Sequence, residues 1–192
     1  MNYQDYIWDL GGTLLDNYET STAAFVHTLQ DFGLTASHDE VYKALKVSTE
    51  YAVRQFAPRN KEFLKAYKAN EAKELEHPIL FDGASELLAQ IIQQGGRNFL
   101  ISHRDDQVLE ILQKTQISAY FTEVVTATNG FKRKPDPESM LYLKDKYQIE
   151  SGLVIGDRPI DIEAGQAAGF SCYLFDNMKN LEEFVDIELE KE

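Results

Sequence analysis

The hydrophobic positions follow two different periods, and these divide the chain into two parts. Residues 17–78 have helical spacing throughout. In FVHTLQDFG (25–33) the apolar residues fall on one helical face and the glycine stands where a C-cap is expected. SHDE (37–40) has the spacing of a capping box. Two further helices are predicted over 49–56 and 60–76, the last ended by a His-Pro pair. This part is therefore predicted to be all-helical.

The rest of the chain alternates short apolar runs with helical patterns, which indicates βαβ units and a parallel sheet. The predicted strands cover 6–9, 98–102, 123–128, 153–157 and 171–175. The predicted helices cover 83–96, 108–114, 137–147 and 160–169. Since the first strand precedes the helical part, we predict an α/β fold with a Rossmann-like parallel sheet core, formed by 1–16 and 79–192. An all-helical cap, 17–78, is inserted after the first strand.

Composition and charge narrow the possible partners. The 192 residues contain 32 acidic and 19 basic side chains, a formal net charge of -13. This balance argues against a nucleic-acid or anionic-membrane surface, since no stripe of Lys and Arg is present. The single cysteine, Cys172, excludes an internal disulfide and lies in an apolar run, where we expect a buried, inert thiol in a reducing compartment. Without a signal-peptide pattern or a membrane-length apolar run, we expect a cytoplasmic protein, and we expect the terminal EFVDIELEKE to be a solvated helix end.

Polar residues collect where the predicted strands end. Asp9, Ser102 and Asp157 each follow an apolar strand, and Lys134 lies in the loop FKRKPDPE before a helix. Taken singly, each has an ordinary explanation as a turn, cap or surface residue. Parallel sheets bind ligands beyond the carboxyl ends of their strands, so we expect these groups to share one site.

Phosphoryl transfer is the chemistry that such a set supports. A carboxylate can attack phosphorus and carry the group as an acyl phosphate. Because carboxylate and phosphate repel each other, a cation is required, and Asp9, Asp157 and Asp161 offer the oxygen ligands that Mg²⁺ prefers. Lys134 would neutralise a phosphate oxygen, and Ser102 would donate a hydrogen bond to another.

Four motifs in this order resemble the haloacid dehalogenase-like (HAD) superfamily, specifically its phosphatase-type branch with an inserted helical cap. They are WDLGGTLLD, the strand-terminal ISH, the lysine in KRKPDPE and IGDRPIDI. The resemblance extends over essentially the whole chain, although the cap resembles the family only in placement and helicity. It implies a Mg²⁺-dependent hydrolase acting on a small phosphorylated metabolite, in the manner of phosphoglycolate phosphatases.

The resemblance also implies a role for each motif residue. Asp9 is the nucleophile, while Ser102 and Lys134 hold the phosphoryl group. Asp157 binds Mg²⁺ with Asp9, and Asp161 supports the metal shell. Gly11, Gly12 and Thr13 form the first loop and bind the substrate; Thr13 steadies this loop, and the Gly11 carbonyl reaches the metal.

Gly11 is the departure from the family pattern. Family phosphatases usually carry a second Asp there, which protonates the leaving alcohol and then activates water. Its loss removes general acid–base catalysis, typically about 10²–10⁴-fold. His103, where the family often has Asn, could replace that acid, since its ordinary pKa is near 6.5; the alternative is a loop histidine without a catalytic role.

Three functions therefore stay open. The chain can be a phosphatase that is slow or restricted to good leaving groups. It can be a phosphonate-type HAD hydrolase, which would use a lysine of the cap. Dehalogenation is disfavoured, because the metal motif is intact. It can also be a non-catalytic binder of a phosphorylated ligand or a partner. The cap lysines are Lys43, Lys46, Lys61, Lys65, Lys68 and Lys73.

The predicted cap is expected to close over the site and select the substrate. Arg54 is the cap residue best suited to clamp a carboxylate or a second phosphate, although an arginine on the surface of an amphipathic helix is an equal alternative. Asp16 and residues 81–83 flank the two junctions as candidate hinges. We expect a monomer or a weak homodimer.

Overall fold

The structure, a computed structural model, describes residues 3–74 and 76–185, and these form two compact units. One unit consists of the chain up to Leu15 and from Leu80 onward, and we call it the α/β unit. The other, the helical unit, covers Asp16–Ile79. These boundaries lie one residue from those of the sequence-based division at each junction.

The α/β unit is built on a parallel sheet of five strands in the order β3-β2-β1-β4-β5. The strands are β1 (Asp5–Trp8), β2 (Arg97–Ile101), β3 (Phe121–Val125), β4 (Gly152–Gly156) and β5 (Ser171–Leu174). The central β1 pairs with β2 on one side and β4 on the other, placing Ile7 opposite Phe99 and Val154. The predicted α/β class and parallel sheet are confirmed.

Helices cover both faces of this sheet, because the central strand is apolar on both sides. They are α5 (Ala84–Gln93), α6 (Gln107–Lys114), α7 (Glu138–Tyr147), α8 (Pro159–Ala167) and α9 (Met178–Val185). Tyr6 and Trp8 pack on one face with apolar residues of α5, α6 and α9. Ile7 points to the other face and packs with residues of α7 and α8. This alternation of Tyr6, Ile7 and Trp8 produces the three layers of the unit.

The third strand shows the clearest difference between the sequence pattern and the structure. The pattern predicts a strand over 123–128, whereas β3 covers Phe121–Val125. Thr126 ends it, since its side chain accepts from the N–H of Thr128 and its own N–H donates to Asn129 Oδ1 at 2.8 Å. A β-branched residue in a strand-like run is here the cap of a short 3₁₀ turn.

The helical unit contains α1 (Asn17–Asp31), α2 (His38–Val47), α3 (Thr49–Phe56) and α4 (Phe63–Glu74). Its core is aromatic: Phe25 contacts Phe63 and Tyr67 edge to face at 4.9 and 5.0 Å between ring centroids. The predicted capping box is present, with Ser37 and Glu40 bonding reciprocally. Asp16 caps α1 by accepting from the Glu19 N–H at 3.0 Å.

Within the described residues, every helix is too short or too polar to span a membrane. Cys172, expected to be buried, is half-buried, and burial raises the pKa of its thiol. The end of the acidic C-terminal run, from residue 186 onward, lies outside the described residues.

Candidate active site

Asp9 lies where the central strand ends, and the sheet fixes its backbone. Its N–H donates to the Ile155 carbonyl at 2.9 Å, which continues the β1–β4 ladder one residue beyond β1. The residue is 6% exposed. Burial raises the pKa of Asp9, while the positive charge of Lys134 opposes that rise. The carboxylate is thus held in a nearly dry position at the carboxyl edge of the sheet.

Among the described residues, Lys134 supplies the only ammonium group that contacts the carboxylates at this edge of the sheet. Its Nζ lies 2.6 Å from Asp9 Oδ1 and 2.5 Å from Asp161 Oδ1, and it donates to the Ile101 carbonyl at 3.4 Å. The contact with Asp161 is an ion pair without the angles of a hydrogen bond. Pairing offsets part of the free-energy cost of burying these charges. The Lys134–Asp161 pair is a contact that the sequence analysis did not predict, because it assigned Asp161 to metal binding alone.

The turn after Asp9 packs directly on Asp157. Gly12 has a φ of 85°, and a Cβ placed on it would overlap the Asp157 carboxylate. Thr13 is fully buried and donates to Asp157 Oδ1 at 3.5 Å. Position 12 therefore requires glycine for both its backbone conformation and its close approach.

Asp161 reaches the site through the close contact of α8 with β4. A Cβ on Gly156 would overlap the Asp161 side chain, so glycine at the strand end admits the helix. Asp161 Oδ2 accepts the Arg158 N–H at 3.2 Å, and the side chain is fully buried. Gly156 is not among the predicted site residues, although its place between an apolar run and Asp157 is a signal for it.

The three carboxylates form a donor set for a divalent cation. Asp9, Asp157 and Asp161 each offer an oxygen within 4.8 Å of the others. Burial and the neighbouring charges of Asp9 and Asp161 raise the pKa of Asp157 to about 6. Three carboxylates against one lysine leave an excess of negative charge, and their hard oxygen ligands suit Mg²⁺. These residues fit the predicted metal.

Ser102 is the fourth predicted residue at this edge. Its N–H donates to the Val125 carbonyl at 2.9 Å, and it is 6% exposed. Its Oγ accepts the Arg104 N–H at 3.2 Å, and this leaves the hydroxyl hydrogen to donate. The geometry is compatible with a hydrogen bond to a phosphate oxygen.

His103 contacts the Lys134 loop through both ring nitrogens. Nε2 accepts the Lys134 backbone N–H at 2.9 Å, and Arg133 Nε lies 3.3 Å from Nδ1. Burial, followed by the charges of Lys134, Arg133 and Arg158, lowers the pKa of His103 to about 4. At neutral pH the ring is uncharged, and its Nε2 lone pair is already bonded.

Gly11 is half-buried, and its φ is not positive. Its neighbour Gly12 donates its N–H to the Leu15 carbonyl at 2.9 Å. The φ at position 11 therefore lies outside the left-handed region that favours glycine. Arg54, by contrast, is an exposed residue of α3 in the helical unit, and its role as a substrate clamp stays a prediction.

The model of one family, described as haloacid dehalogenase-like hydrolase, matches residues 6–175. The chain belongs to the haloacid dehalogenase-like hydrolase family.

Several known proteins resemble the chain at different levels. A solved structure of a hydrolase from Streptococcus pneumoniae TIGR4 is 70% identical, with a TM-score of 0.93 over 97% of this chain and 100% of that one. A phosphoglycolate phosphatase of Aliivibrio fischeri is 29% identical over 88% of this chain and 81% of its own. A pyrophosphatase PpaX of Oceanobacillus iheyensis is 26% identical over the same shares, 88% and 81%. The predicted family and hydrolase class are confirmed.

Proposed function

We propose that the protein is a Mg²⁺-dependent phosphatase that acts on a small phosphorylated metabolite through an aspartyl-phosphate intermediate. The observation that carries this proposal is the assembly of the buried Asp9, Lys134 and Asp161 with the half-buried Asp157 at the carboxyl edge of the sheet. A nucleophile, a phosphate-neutralising cation and a metal donor set are all present within one site.

Each residue then has a task in the displacement. An Asp9 oxygen attacks phosphorus, the bond from phosphorus to the leaving oxygen breaks, and the phosphoryl group stays on Asp9. Lys134, already 2.6 Å from Asp9 Oδ1, neutralises a phosphoryl oxygen, and Ser102 donates to another. Water then attacks the acyl phosphate and releases inorganic phosphate and the free Asp9 carboxylate.

Asp9, Asp157 and Asp161 would hold the Mg²⁺, joined by the backbone carbonyl of Gly11. When bound, the ion stabilises negative charge on the phosphoryl group. Thr13 and Gly12 keep Asp157 in its orientation through the contacts described above.

The missing acid at position 11 points to substrates whose leaving group departs without a proton. Acyl phosphates, aryl phosphates and phosphoric anhydrides meet this condition, whereas an alkyl ester such as phosphoglycolate would react slowly. The relatives include both phosphoglycolate phosphatases and pyrophosphatases. We therefore expect turnover to rise steeply as the leaving group becomes more acidic.

The phosphonate-type alternative receives little support from the helical unit. A Schiff-base lysine needs a desolvated ammonium whose pKa is lowered. The six lysines considered for that role are all exposed: Lys43, Lys46, Lys61, Lys65, Lys68 and Lys73. The second alternative, a non-catalytic binder of a phosphorylated ligand, makes a different prediction in the experiment below.

The decisive experiment is phosphate release with and without Mg²⁺, on acetyl phosphate, p-nitrophenyl phosphate, pyrophosphate and phosphoglycolate. The wild type is run beside Asp9→Asn and Gly11→Asp. Activity that disappears with EDTA and in Asp9→Asn is expected. Gly11→Asp should accelerate phosphoglycolate hydrolysis by about 10²–10⁴-fold and acetyl phosphate far less, because only the poor leaving group needs the proton.

Gly11→Ala is the matched control, since it adds a Cβ at the same position, where φ is not positive, without a carboxyl group. A silent wild type that Gly11→Asp activates would support the binder alternative. Silence of both on every phosphate would overturn the proposed function.

A further inference from the structure

His103 presents a conflict between two hydrogen-bond donors. The Lys134 backbone N–H lies 2.9 Å from Nε2, and the Arg133 Nε–H points at Nδ1 from 3.3 Å. A neutral imidazole has one acceptor nitrogen, and its other nitrogen carries a hydrogen. Only one of these two contacts can therefore be a real hydrogen bond.

The amide of Lys134 has the stronger claim on the ring. It belongs to a buried residue and makes the shorter contact, whereas Arg133 is exposed and can turn to water. Nε2 is thus the acceptor and Nδ1 carries the hydrogen. An imidazole in this state cannot protonate a leaving group, since an acid would need the charged ring.

The surroundings also oppose a charge on this ring. Burial and the nearby cations of Lys134, Arg133 and Arg158 lower the pKa of His103 to about 4, and the negative charge of Asp161 only partly compensates. The neutral ring required by the amide contact is therefore the state expected at neutral pH.

The carboxyl end of β2 contacts Lys134 at two points, its backbone N–H and its ammonium group. The ring of His103, two residues after β2 ends, holds the backbone N–H, and the carbonyl of Ile101, the last residue of β2, accepts from Nζ at 3.4 Å. Between these two points the lysine side chain runs, 1% exposed, to Asp9 and Asp161. Holding the Lys134 backbone N–H in place therefore also fixes the position from which the Lys134 side chain extends.

We propose that His103 is a positioning residue, whose Nε2 holds the Lys134 backbone so that the ammonium stands between Asp9 and Asp161 before substrate binds. It replaces neither the missing acid at position 11 nor any other proton donor. The catalytic consequence rests on the proposed phosphatase function, whereas the placement of the ring does not.

Two variants separate positioning from acid catalysis. His103→Gln keeps an acceptor oxygen that can reach the Lys134 N–H, but it cannot transfer a proton. His103→Phe keeps a ring and removes the acceptor. We expect Phe to lower kcat/KM on the order of 10- to 100-fold, equally for p-nitrophenyl phosphate and phosphoglycolate, and Gln to stay near wild type. Equal losses in both variants, larger on phosphoglycolate, would instead identify an acid and overturn the proposal.

Nuclear magnetic resonance tests the placement without turnover. In the wild type, the imidazole ¹⁵N shifts should show hydrogen on Nδ1 and no titration between pH 5 and 8. Exchange of the Lys134 amide hydrogen should be slow in wild type and His103→Gln and fast in His103→Phe. A ring with hydrogen on Nε2, or one that titrates near its ordinary pKa, would overturn the inference even in an active enzyme. A panel without any turnover would count against the proposed function alone.

Discussion

The two units of this molecule differ in what they bury. In the helical unit, the buried polar residues of the described chain are threonines, Thr20, Thr22 and Thr28, within a core of aromatic and aliphatic groups. The α/β unit buries Asp9, Asp161 and Lys134 at one edge of its sheet. Burying ions costs free energy even when they are paired, and an apolar group of similar shape is often as stable. The comparison indicates that packing dictates the sequence of the helical unit, whereas chemistry dictates part of the α/β unit.

Replacing the buried ammonium should have the largest effect on stability, because the buried charges are what distinguish the α/β unit from the helical unit. Lys134→Met leaves three carboxylates without their cation, and we expect a loss of about 3–5 kcal/mol in the free energy of unfolding at pH 7. Phosphatase turnover should fall below detection. The loss of stability should shrink as the pH falls, because the carboxylates then take up protons. Urea unfolding followed by fluorescence of Trp8, the chain's single tryptophan, reports on the α/β unit.

Lys68→Met is the control for a lysine that is paired but exposed. Lys68 lies 2.7 Å from Glu71, and its side chain is 54% exposed, so its loss should cost no more than about 1 kcal/mol. If Lys134→Met were as mild, the buried carboxylates would already be protonated, and the electrostatic description of the site would be wrong.

Truncating the aromatic core should destabilise the helical unit and leave the α/β unit nearly unchanged, the reverse of what is expected for Lys134→Met. Phe25→Ala removes a fully buried ring that contacts Phe63 and Tyr67, with an expected loss of about 3–5 kcal/mol in the helical unit. Far-UV circular dichroism should show early loss of helix, while the Trp8 fluorescence transition stays near its wild-type midpoint. Leu64→Ala, at a position 44% exposed, is the control and should change little. Coincident transitions in Phe25→Ala would show that the units unfold as one.

The two units also differ in how well the sequence predicts them. The third helix of the helical unit agrees with its prediction at both ends, Thr49–Phe56, and Ser48 is the N-cap that fixes its start. The fourth was predicted over 60–76, but α4 covers Phe63–Glu74, since turn hydrogen bonds such as Phe63 N–H to the Asn60 carbonyl precede it. Short-range signals such as caps fix boundaries, and a boundary without one is uncertain.

At the candidate site, the pattern predicts which residues collect but not how they pair. Strand ends in a parallel sheet meet at one edge, so Asp9, Ser102 and Asp157 could be placed together from the sequence. The contact of His103 with Lys134 spans 31 residues and depends on the path of a loop, which no periodicity encodes. The same holds for the ion pair between Lys134 and Asp161.

The smallest expected effect concerns Glu71, the carboxylate of the helical unit that most resembles those of the site. It accepts from Ser21 at 2.7 Å, Tyr67 at 2.6 Å and Lys68 at 2.7 Å. Burial alone would raise its pKa, but these donors outweigh burial, and the pKa of Glu71 is lowered. Its stabilising contribution is therefore present above the ordinary carboxyl pKa and is lost as the pH falls through the lowered value.

Glu71→Gln should accordingly cost about 1–2 kcal/mol at pH 7 and progressively less in acid, where wild type and variant converge. Helix unfolding in urea, followed by circular dichroism from pH 7 to pH 3, measures this convergence. A deficit that stays constant with pH would mean that shape, and not charge, makes Glu71 stabilising. The helical unit would then differ from the α/β unit even at this half-buried carboxylate. The charge of Glu71 would contribute nothing to stability and could be replaced, whereas the charges around Lys134 could not.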